Sequence, residues 1–257
     1  MLDSHCHIND EALYPDRANI IKEAKERGVT EFLVVGWDIE SSRKAIEIAN
    51  EFEGVYAAIG IHPENLYDAS EENLNVIKEL SKDKKVVAIG EIGLDYHWFK
   101  EIEHREKQKE WFIKQIDLAN ELGLPISIHG RDASQDIYNI LKEHPVKNGG
   151  VLHCYSGSKE MLKEFAKLRL YFGFDGPITF KNAVEPKECV KECPLDRLLS
   201  ETDSPYLTPV PYRGKTNYPK YIKEIVEQIA SLKESDTTTI ESQIKTNFEK
   251  LFHVEHK

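Results

Sequence analysis

Met1-Leu2-Asp3-Ser4-His5-Cys6-His7 opens the chain as an apolar start running into two histidines at alternate positions. Such a segment reads as a strand, in which residues i and i+2 share a face about 6.6 Å apart, so the His5 and His7 imidazoles can converge on one ion. Ten histidines in 257 residues would give about 0.4 such pairs by chance, so the spacing gains weight only from what the rest of the chain sets beside it.

Moving outward, apolar runs at 31–36, 55–60, 86–90, 124–128, 150–152, 170–174 and 197–199 bring the strands to eight. Helical patterns fill the intervals at 16–27, 41–52, 70–81, 103–122, 133–143, 158–168 and 182–192, with 219–233 and 237–251 after the last strand. Gly28, Gly54 and Gly123 stand at or just past helix ends, and Ser70 opens one as a cap. Strand and helix alternating eight times over about 250 residues is the rhythm of a TIM-type (β/α)8 barrel. No Gly-, Ser- or Pro-rich linker divides residues 1–257, so the expectation is an α/β fold in a single domain. The irregular segment 204–217, carrying Pro205, Pro209 and Pro211, follows the last strand. A doubly wound sheet is the alternative, but no Gly-rich phosphate loop follows the first strand.

Composition narrows the function. Lys plus Arg number 34 against 45 Asp plus Glu, a net charge of −11, which argues against a broad basic surface gripping duplex nucleic acid along its length. A small anionic substrate held by metal and a few local cations stays compatible. No leader-like start and no run of 18 apolar residues is present, so a cytoplasmic protein with no membrane partner is expected. The four cysteines fit that compartment. Cys6 and Cys154 each follow a histidine and should face the packed side of their strands, while Cys189 and Cys193 lie four apart in a helical pattern with no second Cys or His pair nearby to complete a metal site.

The ionisable residues decide the chemistry. His7, His62, Glu91, His129, His153 and Asp203 each fall at the end of a different expected strand, the place where barrels of this kind build active sites. Their contexts are apolar: Ile59-Gly60-Ile61-His62-Pro63, Ile89-Gly90-Glu91-Ile92-Gly93, Ile126-Ser127-Ile128-His129-Gly130, Val151-Leu152-His153-Cys154 and Leu199-Ser200-Glu201-Thr202-Asp203-Ser204-Pro205. An unpaired polar group there would cost several kcal/mol, so a metal or a hydrogen-bonded network must compensate it. Four histidines and two carboxylates suit Zn, Mn, Ni or Co, with Mg at an oxygen-rich position. A catalytic zinc takes three protein ligands, so six donors with a carboxylate able to bridge point to two divalent ions about 3.5–4 Å apart.

Together with Gly93-Leu94-Asp95, Tyr155-Ser156-Gly157 and Tyr206-Leu207, these motifs resemble the TatD family of metal-dependent deoxyribonucleases, from residue 1 to about residue 250 and with no departure at the quoted positions. The resemblance implies that His5, His7, Glu91 and Asp203 hold one ion and that Glu91, His129 and His153 hold the other, with Glu91 shared. It also implies variable metal preference and hydrolysis of phosphodiesters, often by trimming DNA from the 3′ end. Removal of D-amino acids from tRNA, credited to some TatD-like members, is the alternative ester hydrolysis, and a non-catalytic metal-binding module is the third reading. A cyclic-amide hydrolase of the superfamily would often carry a carboxylated lysine where Glu91 stands.

Coordination to a zinc-like ion can lower the pKa of water from 15.7 to about 7. Asp203 is the candidate base and, with Glu91, the catalytic pair; Glu201 is expected to support a ligating histidine. His62 is read as a phosphate or leaving-group contact or else as a turn residue. Arg131, with Arg213 and Lys215 in the proline-rich loop, supplies cations for substrate, and Tyr96, Trp98, Tyr155, Tyr206 and Tyr212 are candidate platforms for bases. The expected partner is a single-stranded DNA end, with tRNA as the alternative, and the expected state is a monomer.

Overall fold

The computed structural model describes residues 1–254. Eight strands lie side by side in sequence order, every neighbouring pair parallel. They are β1 (Leu2–Cys6), β2 (Glu31–Val35), β3 (Val55–Ile59), β4 (Val86–Asp95), β5 (Ile126–Arg131), β6 (Gly150–Leu152), β7 (Tyr171–Phe174) and β8 (Leu198–Ser200). The helices between them are α1 (Arg17–Glu26), α2 (Ile39–Glu51), α3 (Glu71–Leu80), α4 (Ile102–Leu122), α5 (Ser134–Glu143), α6 (Lys159–Lys167) and α7 (Val184–Glu192), with α8 (Ile222–Leu232) and α9 (Thr237–Phe252) at the end. The sheet curls into a nearly closed barrel, and the expected (β/α)8 architecture is the one found. Strands buried on both faces must be apolar throughout, and Phe32–Val35, Ala57–Ile59 and Phe172 are fully buried.

Strand order is laced by ladders from β1 to β8, but the two ends of the sheet are joined differently. Ser4 Oγ donates to the Ser200 carbonyl at 3.0 Å and Ser200 Oγ to that of Leu2 at 3.4 Å. Asp3 accepts the Thr202 N–H at 2.9 Å and its hydroxyl at 2.5 Å. Just beyond the strands, the Asp203 N–H donates to His5 O at 3.0 Å and the His7 N–H to Ser204 O at 2.8 Å. Small polar residues therefore close the cylinder where the site lies.

Three register slips depart from the even strands expected from the sequence, one of them between Ala57 and Ala58 where β3 meets β4 and the other two at the site. Between Asp3 and Cys6 the register to β2 slips by a residue, and it slips again in β4 between Ile89 and Ile92. Each of these two bulges falls on a segment that carries a candidate ligand, His5 in the first and Glu91 in the second; bulges re-aim side chains in this way. Strand β4 also runs ten residues, so Glu91 sits inside a strand and not at its end. Pairing of Gly93, Leu94 and Asp95 with β5 carries it onward.

No helix among the described residues is long and apolar enough to cross a membrane.

Candidate metal centre

At the C-terminal mouth of the barrel the candidate ligands turn out to surround one side chain. Glu91 Oε1 lies 2.7 Å from His153 Nε2, 2.9 Å from His129 Nδ1 and 3.3 Å from His62 Nε2. Its other oxygen, Oε2, lies 3.5 Å from both His5 Nε2 and His7 Nε2. Asp203 Oδ1 completes the second side at 3.4 Å from His7 Nε2 and 3.8 Å from His5 Nε2. Each carboxylate oxygen of Glu91 thus faces its own set of imidazoles. Donor atoms close enough to share an ion occur as His5/His7/Asp203, His5/Glu91/His153 and His62/Glu91/His129.

The tautomers follow from the outer partners. His7 Nδ1 is 2.9 Å from the Val35 carbonyl, which can only accept, so Nδ1 carries the proton and Nε2 presents a lone pair. His129 Nε2 lies 3.0 Å from Asp95 Oδ2 and is likewise the protonated nitrogen, leaving the lone pair of Nδ1 toward Glu91. Lone pairs aimed at carboxylate oxygens at 2.9–3.5 Å require positive charge between them. Burial alone would lower His7, His129 and His153, yet Asp203, Asp95 and Glu91 raise all three, while Glu91 is held well below its ordinary value by the surrounding imidazoles despite its burial. Imidazolium protons can supply that charge, and a divalent cation would supply it in their place, taking the imidazole nitrogens and ionised carboxylates as its ligands.

His62 differs. Its Nδ1 accepts the Glu64 N–H at 3.2 Å, so Nε2 carries the proton and donates toward Glu91. Burial keeps this imidazole below its ordinary pKa and neutral. His62 is thus a donor already, not a lone pair awaiting an ion.

The supporting contacts are local and specific. Gln108 and Gln115 stand seven apart on α4 and so share a face. Gln108 takes the N–H and gives to the carbonyl of Asp95 at 2.8 and 3.0 Å, and Gln115 does the same for Ile61 at 2.8 and 2.9 Å. Both strand ends are therefore fixed in height beside Glu91 and His62. Gly93 has φ 146°, and a Cβ there would meet the His129 carbonyl at 2.0 Å, so glycine lets β4 and β5 approach. Asn217 donates to the carbonyls of Thr202 and Tyr206 at 2.8 and 2.6 Å, pinning the turn that carries Asp203.

Above the cluster opens a cleft of about 800 Å³, lined by Trp37, His62, Asn65, Trp98, Arg131, Tyr206 and the ligand cluster. Trp98 is 63% exposed, with Arg131 5.5 Å from its ring centroid, and Tyr206, 54% exposed, holds Asp10 through its hydroxyl at 3.2 Å. Trp37 stands edge-on to His7 at 5.3 Å.

Several expectations are corrected by these positions. Tyr155 is buried against Phe165, Phe172 and Phe174 with its hydroxyl on the Ser158 carbonyl at 2.7 Å, so it packs the barrel and offers no platform for a base. Tyr96 donates to Asp136 at 2.7 Å and Tyr212 stacks on Tyr221 at 4.2 Å. Arg213 covers the Phe180 ring at 4.2 Å and, like Lys215, does not line the cleft. Glu201 accepts the Cys154 N–H at 2.5 Å and sits 3.4 Å from His153 Nδ1. Cys6 is buried as expected, but Cys154, with φ 43°, is turned onto the cleft floor instead of the packed side. A left-handed residue just past a strand end breaks the alternation that placed it. Asp203 is also left-handed, φ 54°, and stands three residues past β8, in the turn that follows and not at the strand end where it was expected. Sequence reasoning missed Trp37 and Asn65, and it gave no role to Asp95, which it quoted only within the Gly93-Leu94-Asp95 motif; the spacing of Asp95 four residues after Glu91 on one strand is the signal that could have supplied the role.

The sequence profile of the TatD-related DNases matches residues 2–253. The metal-dependent hydrolase YabD of Bacillus subtilis is 49% identical over 255 residues, covering 99% of each chain, and YcfH of Escherichia coli K12, also named a metal-dependent hydrolase, is 36% identical over 99% of this chain and 96% of its own. Among solved structures, the TatD homologue YjjV of E. coli K12 superposes with a TM-score of 0.94 at 28% identity, over 99% of this chain and 98% of that one.

Proposed function

This chain belongs to the TatD-related DNase family and is a metal-dependent hydrolase, and on that premise we propose that it cleaves phosphodiester bonds, trimming single-stranded DNA from the 3′ end. The observation that carries the proposal is the composition of the cleft: a floor of imidazoles and carboxylates beneath a rim with exposed Trp98 and Tyr206 and the cation Arg131. Aromatic faces hold any base by stacking, worth about 1–3 kcal/mol each, and a lone cation pairs with a backbone phosphate without demanding a long duplex. The net charge of −11 disfavours gripping the middle of a duplex, and at a blunt duplex end the terminal bases would first have to be unpaired and unstacked at a few kcal/mol each.

In this proposal His5, His7 and Asp203 hold one ion and His129 and His153 the other, with one oxygen of Glu91 turned to each. Ions in these positions would acidify water toward neutrality and offset charge on the phosphoryl oxygens. The chain supplies the rest. Asp203 accepts the proton of the attacking water, and its buried carboxyl is held below its ordinary value mainly by His7, so it is ionised and ready at neutral pH. His62, fixed as a donor by Glu64, would turn its Nε2 hydrogen bond from Glu91 to the phosphate or the leaving oxygen when substrate enters. Asp95 keeps His129 in the tautomer whose lone pair points inward.

End-labelled oligonucleotides, single-stranded, blunt duplex and RNA, together with D-aminoacyl-tRNA, test the substrate after metal stripping and reloading. Loss of nucleotides from the 3′ end of single strands is the expected result; attack from the 5′ end, or hydrolysis of aminoacyl-tRNA alone, overturns it. Asp203→Asn should lower kcat by about 10²–10⁴ if the carboxylate is the base. Recovery to within about threefold in excess metal would assign Asp203 to ion binding only.

A further inference from the structure

Beside the histidines lies a second set of donors, of which the two-ion arrangement uses only Asp203. Cys154 reaches the cleft floor through its left-handed backbone, Asp175 follows the end of β7, and Asp203 occupies the turn after β8. One donor atom from each lies within 4.8 Å of the other two. Asp175 is 4% exposed, and its Oδ2 has no hydrogen-bond partner; fully buried Glu201 leaves Oε2 equally without one. Room for Glu201 exists because residue 173 is glycine, where a Cβ would fall 2.0 Å from that oxygen. Three carboxyl groups are thus gathered about a thiol: Asp203 faces His5 and His7 at the cleft and Glu201 faces His153, while buried Asp175 has no ion-pair partner among the described residues. Buried acids are ordinarily paired or bound to metal.

We propose that Cys154, Asp175 and Asp203 form an additional cation site, distinct from the positions facing Glu91, with the charge of Glu201 beneath it. Sulfur together with carboxylate oxygen suits a borderline ion such as Zn²⁺ or Co²⁺ and disfavours Mg²⁺ or Ca²⁺. On binding, the Cys154 S–H bond breaks, its proton leaves to solvent, and the sulfur lone pair forms the bond to the ion; Asp175 binds as carboxylate, releasing to solvent any proton it carries. Cys154 and Asp203 both line the cleft, so the ion enters from there. The proposal stands apart from the identity of the substrate.

Metal-free protein titrated with Co²⁺ provides the test, followed by near-ultraviolet absorbance and by metal content after gel filtration. Thiolate bonded to Co²⁺ produces an intense sulfur-to-cobalt charge-transfer band that imidazole and carboxylate ligands do not. We expect that band in the wild type and in a Cys189→Ser/Cys193→Ser variant. It should vanish in Cys154→Ser and in Asp175→Asn, each binding one ion fewer than wild type. Anomalous scattering from cobalt-loaded wild-type crystals needs no variant and should peak against Cys154 Sγ and Asp175. A saturated protein with neither band nor peak there, or a band that survives Cys154→Ser, overturns the site. Absence of ions at His5, His7, His129 and His153, or of DNA hydrolysis, would instead overturn the proposed function and leave this readout unchanged.

Discussion

Asp95→Asn tests how His129 is set. Asp95 is wholly buried; its Oδ1 accepts the N–H groups of His97 and Trp98 at 2.9 and 3.1 Å, and its Oδ2 faces His129 Nε2 at 3.0 Å. An asparagine in the same place has two orientations. With its NH₂ toward the two backbone N–H groups, two donors lose their acceptor at about 1–3 kcal/mol each. With its oxygen there, NH₂ faces His129 Nε2, and the ring must accept on that nitrogen and move its proton to Nδ1, pointing at Glu91. The second orientation is the cheaper one, and it removes the lone pair that the ion needs. Loss of such an outer partner typically weakens metal binding 10- to 100-fold, or about 1.4–2.7 kcal/mol. Competition with a chelating dye at neutral pH should show the ion proposed beside His129 weakened by that factor, with the one proposed beside His5 and His7 changed far less. Equal affinity of wild type and Asp95→Asn at both positions, within twofold, would refute the tautomer argument.

Trp98→Ala should raise KM about 5- to 150-fold on single-stranded DNA with kcat unchanged, the equivalent of about 1–3 kcal/mol of stacking, as read by initial rates on oligonucleotides. Chelation should lower Tm by about 8–16 °C per ion removed when the ion is present at about a thousand times its Kd, since this linkage supplies about 4.1 kcal/mol and a chain of this size moves about 2–4 °C per kcal/mol; calorimetry with and without EDTA measures it. Gly93→Ala combines backbone strain of about 1–3 kcal/mol with the collision against the His129 carbonyl, so it should cost at least about 3 kcal/mol in denaturant melts. Gly123→Ala, at φ 71° with nothing within 4 Å of its Cβ, should cost only about 1–2 kcal/mol.

The barrel and the converging ligands were legible because both rest on periodicity: apolar runs at regular intervals, each ending in a side chain that an apolar strand does not otherwise carry. What the sequence hid are departures from that period. Alternation places residues correctly only while the strand is regular, and it fails at the bulges around His5 and Glu91 and at left-handed Cys154 and Asp203. Cys154 reversed also carries Tyr155 inward, which is why a tyrosine expected to meet bases lies among phenylalanines. Arg213 was placed over the site by its loop, yet a loop residue goes where a neighbour draws it, here the face of Phe180. Asp175, before Gly176-Pro177, carries no signal in the sequence; only the fold brings it to Cys154.

The seam between first and last strands has a mechanical meaning. Ser4 and Ser200, 196 positions apart in the chain, lie on opposite lips of the one slit in the cylinder wall, and so do His5 with His7 on one lip and Asp203 on the other. An ion gripped by all three, as proposed, would act as a rivet through both lips, part of its binding free energy going to keep the staves together. Breathing of the wall should therefore start at this slit when the rivet is drawn, exposing the amides of His7 and Asp203 to deuterium long before those of the continuous staves β2 to β5.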